Sequence, residues 1–114
     1  MLAKKYKIQK KKEVEAVFKG GRSSFDDVAG VKILPTVQAH SRFVVVVSVK
    51  VSKKAVERNK LKRKLSELCR LALPQLNAGN DFFILALPGS AQKTYRELEH
   101  SLQKHFKKLG AYKQ

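Results

Sequence analysis

The feature that most constrains this chain is a pair of apolar runs on either side of a charged amphipathic stretch. Phe43 to Val49 reads Phe-Val-Val-Val-Val-Ser-Val, and Asp81 to Leu87 reads Asp-Phe-Phe-Ile-Leu-Ala-Leu. β-Branched and aromatic residues in such short runs suit strands covered on both faces better than helices. Between them the period changes. At about 100° per residue, Leu61, Leu65, Leu68 and Ala72 fall on one narrow stripe, with Asn59, Lys62, Arg63, Ser66 and Arg70 opposite it. This predicts a helix over about residues 53–72, with Ser52 as its N-cap and Pro74 as its stop.

The other segments add two helices and one or two strands. Val14, Val17 and Phe18 share one face of a short helix over 11–19, which Gly20-Gly21 ends. Val28 to Leu34 is extended and closed by Pro35, with room for a short extra strand near Ser23 to Asp26. Gln38 to Ser41 reads as a loop, and Asn77 to Asn80 as a turn. Pro88-Gly89 breaks the second strong strand. Ser90 is expected to cap a last helix with Tyr95, Leu98, Leu102, Phe106 and Leu109 along one face. The order α-β-β-α-β-α, over 114 residues, predicts a single α+β domain. It is a small α-β sandwich with one sheet of three to four strands and three helices. A strand–helix–strand order permits a parallel crossover, for which right-handed is the general rule.

Charge narrows the function. Lys and Arg number 25 against 9 acids, a formal net charge of +16. Self-repulsion on that scale calls for a polyanionic partner, with nucleic acid first and an anionic membrane surface second. The excess is spread over Lys4–Lys12, Lys50–Arg70 and Lys104–Lys113, so the whole domain, and not one tail, is adapted to that partner. Residues 1–10 read as a mobile basic tail. No segment reaches the roughly 18 apolar residues of a membrane span, and the lysine-rich start is followed by no signal-peptide core. These points predict a cytoplasmic protein without a membrane partner.

Catalytic and metal chemistry find no support in the residues. One cysteine, Cys69, excludes an intrachain disulfide, and its place in the amphipathic helix predicts a buried, inert thiol. Cys69 and three scattered histidines (His40, His100, His105) form no metal-ligand pattern. Glu13, Glu15, Asp26 and Asp27 show no acid/base or two-metal spacing, and no nucleophile–histidine pattern is present. No catalytic residue and no protein-bound metal are therefore expected, and His105 reads as structural.

The basic helix carries the strongest functional signal. Seven of the fourteen residues from Lys53 to Ser66 are Lys or Arg, with one acid, Glu57. A merely soluble helix mixes signs to gain i,i+4 pairs, whereas Lys60 and Lys64 form a like-charge pair. Arg58 and Arg63 can fork onto phosphate oxygens, and the lysines act as point charges. Lys53, Lys54, Lys64 and Arg70 extend the same surface. Phe18, beside Lys19 and Arg22, could stack on a base, but its i,i+4 partner Val14 makes a core contact the simpler reading of composition.

At these residues the chain resembles the bacterial ribonuclease P protein family. Ala55 followed by Arg58-Asn59-Lys60-Leu61-Lys62-Arg63 is similar to that family's basic signature. Glu13 to Gly20 looks like its first helix, with the ending Val17-Phe18-x-x-Gly21 one residue beyond. Ser52-Lys53-Lys54 fits its basic lead-in, Asp81-Phe82-Phe83-Ile84 its last strand, and Ala91 to Phe106 its last helix. Lys60 and Ser66 stand where Arg is usual, Val14 where an aromatic is frequent, and the lead-in lacks a common glycine. The resemblance implies a left-handed βαβ crossover, against the general rule. It also implies a protein subunit that helps a catalytic RNA, with Mg²⁺ bound mainly by that RNA, remove the 5′ leader from precursor tRNA. By the same resemblance, Arg58, Asn59, Lys60, Lys62 and Arg63 would dock on the RNA subunit. Phe18, Val14 and, more weakly, Lys50 would line a cleft for the single-stranded leader. No protein partner is implied. A structural RNA-binding protein of similar layout is the alternative, and a DNA-binding helix module fits less well, because the basic helix lies between strands.

Overall fold

The structure is a computed structural model that describes residues 2–113. Three α-helices and four strands follow in the order α1 (Lys11–Gly20), β1 (Arg22–Phe25), β2 (Ala29–Pro35), β3 (Arg42–Val47), α2 (Ala55–Ala72), β4 (Asn80–Ala86) and α3 (Tyr95–Lys108). The strands form one mixed sheet in the spatial order β1-β2-β4-β3. β1–β2 and β2–β4 are antiparallel, and β3 runs parallel to β4 with α2 as the crossover. The α+β sandwich is the arrangement expected, and the short extra strand is β1.

Alternation along the strands divides the molecule into two faces. Val31 and Ile33 of β2, Phe43 and Val45 of β3, and Phe82 and Ile84 of β4 meet Leu61, Leu65 and Leu68 of α2 and Leu98, Leu102 and Phe106 of α3 in the main core. Phe82 lies at its centre, stacked on Phe43 with centroids 4.9 Å apart and edge-on to Phe106 at 5.4 Å. On the opposite face Phe83 packs with Val17 and Ile8, and Val14, Leu34, Val44, Val46 and Leu85 surround this smaller cluster. The Val-rich run of β3 thus serves both faces, as its composition demands. β3 is nevertheless an edge strand, not a central one; β2 and β4 occupy the centre.

Two helix starts differ from expectation. Lys54, not Ser52, is the N-cap of α2, and its side chain makes no capping bond. Ser52 instead accepts from the Lys54 N–H at 3.2 Å and donates to the Glu57 carboxylate. Ser90 lies within a 3₁₀ turn, Pro88–Ser90, and its hydroxyl donates to the Leu87 carbonyl at 2.7 Å. α3 starts four residues later on Thr94, where Thr94 and Glu97 form a reciprocal capping box. This moves Tyr95 to the first turn, where it is exposed, while Leu98, Leu102, Phe106 and Leu109 are buried.

Of residues 1–10, read from sequence as a mobile basic tail, Met1 lies outside the described residues and 2–10 are placed along the free edge of β3. Ile8 donates its N–H to the Phe43 carbonyl at 2.9 Å, and Lys7 bridges Phe43 in parallel register. Leu2 and Ile8 are buried while Lys4, Lys5, Lys7 and Lys10 stay exposed. The segment anchors by two apolar side chains and leaves its charges in water.

Candidate nucleic-acid interface

The cationic residues of α2 separate into two edges because the helix lies on the sheet by its leucine stripe. On the edge toward β3, Asn59, Lys62, Arg63 and Ser66 line a cavity of about 450 Å³ with Lys7 of the N-terminal segment. On the other edge, Lys60 and Lys64 line a recess of about 360 Å³ with Lys93, Ser90 and Glu57. The like-charge pair noted in the sequence therefore faces a third lysine from another part of the fold. Lys53 and Lys54 are exposed at the lead-in.

Three residues are not free cations or solvent groups in the sense expected. Arg58 is half-buried and donates from Nη1 to the Ser52 carbonyl at 2.9 Å, so it ties the lead-in to the helix. Arg70 pairs with Glu67 one turn earlier, its Nε 3.1 Å from the carboxylate. Ser66, placed on the exposed side by the helical wheel, is buried. Asn59, Lys62 and Arg63 remain on the surface, and Arg63 Nε leans on the Asn59 carbonyl at 3.4 Å. Cys69 is fully buried, and burial pushes its thiol pKa well up.

The opposite face of the sheet carries a different surface. α1 is fixed over it by Arg42, whose Nε and Nη2 donate to Asp81 Oδ1 and Oδ2 at 3.0 and 2.8 Å. The same guanidinium reaches Glu13 of α1 through Nη1 and Nη2 at 3.3 and 3.0 Å. The bonds to Asp81, then to Glu13, raise the Arg42 pKa, and the bond from Arg42 holds Glu13 below its ordinary value. Beside this clamp, Phe18 projects from α1 with its ring 5.3 Å from Phe83. Lys32 of β2 stands 4.0 Å over the Phe18 ring and donates to the Phe18 carbonyl at 2.7 Å. Phe25 lies 5.9 Å from the same ammonium. Phe18 and Phe25 are 47% and 52% exposed, far more than core aromatics. They form an open ledge of two rings and one cation.

Phe18 is thus packed against Phe83 on one side and exposed on the other, so it is not the buried core contact that composition favoured. Val14 packs into the small cluster beneath α1. Lys50 is exposed in the turn after β3, on the sheet edge opposite β1. Lys7, Lys93, Lys32 and Phe25 were not singled out from sequence. For Lys32 a signal existed: between Val31 and Ile33, strand alternation turns it to the opposite face. For Lys7 and Lys93 none existed, because both arrive by long-range packing.

His105 is buried and structural. Its Nδ1 is 2.7 Å from Ser24 Oγ, and its Nε2 is 3.3 Å from Asp26 Oδ2 without hydrogen-bond geometry. Asp26 also accepts from the Val28 and Ala29 N–H groups, Ser101 and Lys104. Burial alone would raise the Asp26 pKa, but these donors, Lys104 foremost, hold it well below the usual carboxylate range. The cluster ties α3 to the β1–β2 hairpin. Among the described residues, no three His, Cys, Asp or Glu side chains gather as metal ligands.

A family model described as Ribonuclease P matches residues 2–110. The chain belongs to the ribonuclease P protein family. The ribonuclease P protein component of an Exiguobacterium species is 37% identical over 111 residues, covering 97% of this chain and 96% of that protein. That of Bacillus mycoides is 36% identical over 110 residues, covering 96% and 95%. The fold agrees with the RNase P protein of Staphylococcus aureus at a TM-score of 0.86 and 24% identity, over 95% of this chain and 98% of that one. It agrees with the protein from Thermotoga maritima at 0.77 and 22%, over 86% and 92%. The family role is that of the protein subunit of a ribonucleoprotein, so an RNA partner follows. Among the described residues no helix is long and apolar enough to cross a membrane.

Proposed function

We propose that the cationic surface of α2 docks on the catalytic RNA of ribonuclease P, while the ledge of Phe18, Phe25 and Lys32 holds the single-stranded 5′ leader of precursor tRNA. The observation that carries this reading is the separation of the two surfaces. One is dense in lysine and arginine and suits a folded RNA's phosphates. The other pairs exposed rings with a cation and suits unpaired bases. The central sheet lies between them, so both can be occupied together.

Among the described residues no cluster of His, Cys, Asp or Glu gathers at either surface to hold a metal, and phosphodiester hydrolysis is assigned to the RNA. Mg²⁺ is likewise assigned to the RNA. What the protein's residues do is bind and orient. Asn59, Lys62, Arg63 and Lys7 neutralise RNA phosphates on one edge of α2, and Lys60, Lys64, Lys53 and Lys54 on the other. Phe18 and Lys32 bind the leader, which product lacks, so their contribution favours precursor over mature tRNA. The assembly works in the cytoplasm, with precursor tRNA as substrate.

The test is 5′-leader cleavage of a precursor tRNA at low Mg²⁺ by a bacterial ribonuclease P RNA, with and without the protein. Stimulation that requires both components is expected. Tight RNA binding that ignores the leader and gives no stimulation, with a cognate RNA, would refute the leader assignment.

A further inference from the structure

A further cavity belongs to neither surface described above. It is an open groove of about 820 Å³ on the helical face of the sheet, lined by Gln75, His100, Gln103, Lys107, Tyr112 and Lys113, among others. Lys104 also borders it, paired at 2.8 Å with Asp26. Among the described residues no carboxylate lines the groove, and no Asp or Glu follows Glu99 in the chain. Lysines in the last turn of α3 favour the negative end of the helix dipole, which accounts for Lys107 and Lys108. It does not account for Lys113, which lies beyond the helix. Lys113 is held in place by its backbone: its N–H donates to the Gln75 carbonyl at 2.8 Å, and Tyr112 bridges Leu76. The C-terminal segment is therefore a built wall that sets two cations without an ion-pair partner among the described residues, Lys107 and Lys113, along one groove with His100 and Gln103 as donors.

We propose that this groove is a second contact for the RNA subunit, binding the phosphodiester backbone of a segment distinct from the one on the α2 surface. The inference rests on the proposed docking of α2 on that RNA. Two observations favour the RNA subunit over the substrate. The groove lies on the α2–α3 face of the sheet, whereas the leader ledge lies on the α1 face. α3 packs over β1 and β2 while α2 packs over β3, so the groove and the α2 cavity flank the helical layer on opposite sides. A single RNA segment on α2 would leave the groove's charge unneutralised, and a second segment of the same folded RNA relieves it.

Tethered iron–EDTA probes on the full chain, in complex with a bacterial ribonuclease P RNA, test this. Cys69 is buried, so a label goes to an introduced cysteine. One probe is placed at Gln103→Cys in the groove and one at Val56→Cys, an exposed α2 position outside the proposed contacts. The expected result is two separate cleaved regions in the RNA subunit. The Gln103 pattern should disappear in a Lys107→Glu/Lys113→Glu background while the Val56 pattern persists. The same double variant should lower the log–log salt slope of RNA binding by up to about 1.8, with an unchanged circular-dichroism spectrum. Cleavage from Val56 alone would overturn the proposal and leave the α2 reading standing. Cleavage from Gln103 in added precursor tRNA, and not in the RNA subunit, would overturn it too. Silence from both probes would remove the α2 docking and this inference with it.

Discussion

Arg42→Leu is the substitution whose consequence the structure specifies most closely. The guanidinium ties α1 to the start of the β3–β4 pair, with side chains 13% exposed for Arg42, 4% for Asp81 and 31% for Glu13. Removing it leaves Asp81 as a buried charge without its counter-ion, which costs about 3–5 kcal/mol. The loss of the outer bond to Glu13 adds little, about 0–1 kcal/mol, because that carboxylate is well hydrated. With a urea m-value of about 1–3 kcal/mol/M, the midpoint should fall by at least about 1 M. Arg42→Leu/Asp81→Asn should regain part of that loss, since the unpaired charge is gone. Glu13→Gln alone should move the midpoint little. Because α1 is fixed through this clamp, Arg42→Leu should also reduce the preference for precursor over mature tRNA in folded protein. A urea midpoint within experimental error of the parent, or a double variant less stable than Arg42→Leu, would refute the buried-clamp reasoning.

Phe18→Ala should weaken precursor binding to the holoenzyme more than mature tRNA binding, and equal losses would return Phe18 to a purely structural role. Arg63→Ala and Lys62→Ala should each flatten the salt dependence of RNA binding by up to about 0.9 of log–log slope. Arg58→Ala should flatten it less and instead cost about 1 kcal/mol of stability through the lost bond to the Ser52 carbonyl; a larger slope change for Arg58 than for Arg63 would reverse this ranking. Asp26 has a depressed folded-state pKa against an ordinary value of 3.8, so its contribution is present above pH 4 and lost as pH falls through the lower folded value. Asp26→Asn should therefore reduce the acid dependence of unfolding below pH 4, and an unchanged acid limb would dissociate Asp26 from it.

The strands were legible because β-branched and aromatic runs have few other uses at such length, and the leucine stripe fixed which side of α2 is inside. The N-caps were misread where a serine preceded an apolar period. Thr94 carries Glu97 three residues on, the full reciprocal motif, whereas Ser90 has Lys93 in that place, so the sequence held the correct signal for α3. Ser66 was misplaced because a wheel of ideal angles cannot show how far the N-terminal segment and β3 wrap the helix flank. The cation inventory of α2 was readable, but its division into two edges was not. That division depends on which neighbours, Lys7 or Lys93, the chain brings back to each edge. The run of β3 reads as covered on both faces, and it is, yet among the described residues its outer edge pairs only with the short segment around Lys7. Composition reports burial of faces, not pairing of edges.

The proposed arrangement would let a protein subunit raise specificity through binding alone. Contacts made equally to precursor and product change affinity without favouring cleavage, whereas contacts to the leader exist only before the bond is cut. Under the proposed assignment the α2 surface is of the first kind and the Phe18 ledge of the second, and the four-stranded sheet keeps them on separate faces. Charge added to α2 therefore tightens assembly without selecting substrate. Rings and cations added to the ledge select substrate without altering assembly. On this reading, the departure of Lys60 from arginine falls on the assembly side, where Lys64 and Lys93 share its recess, while Val14 lies beneath α1 and leaves selection to Phe18, Phe25 and Lys32.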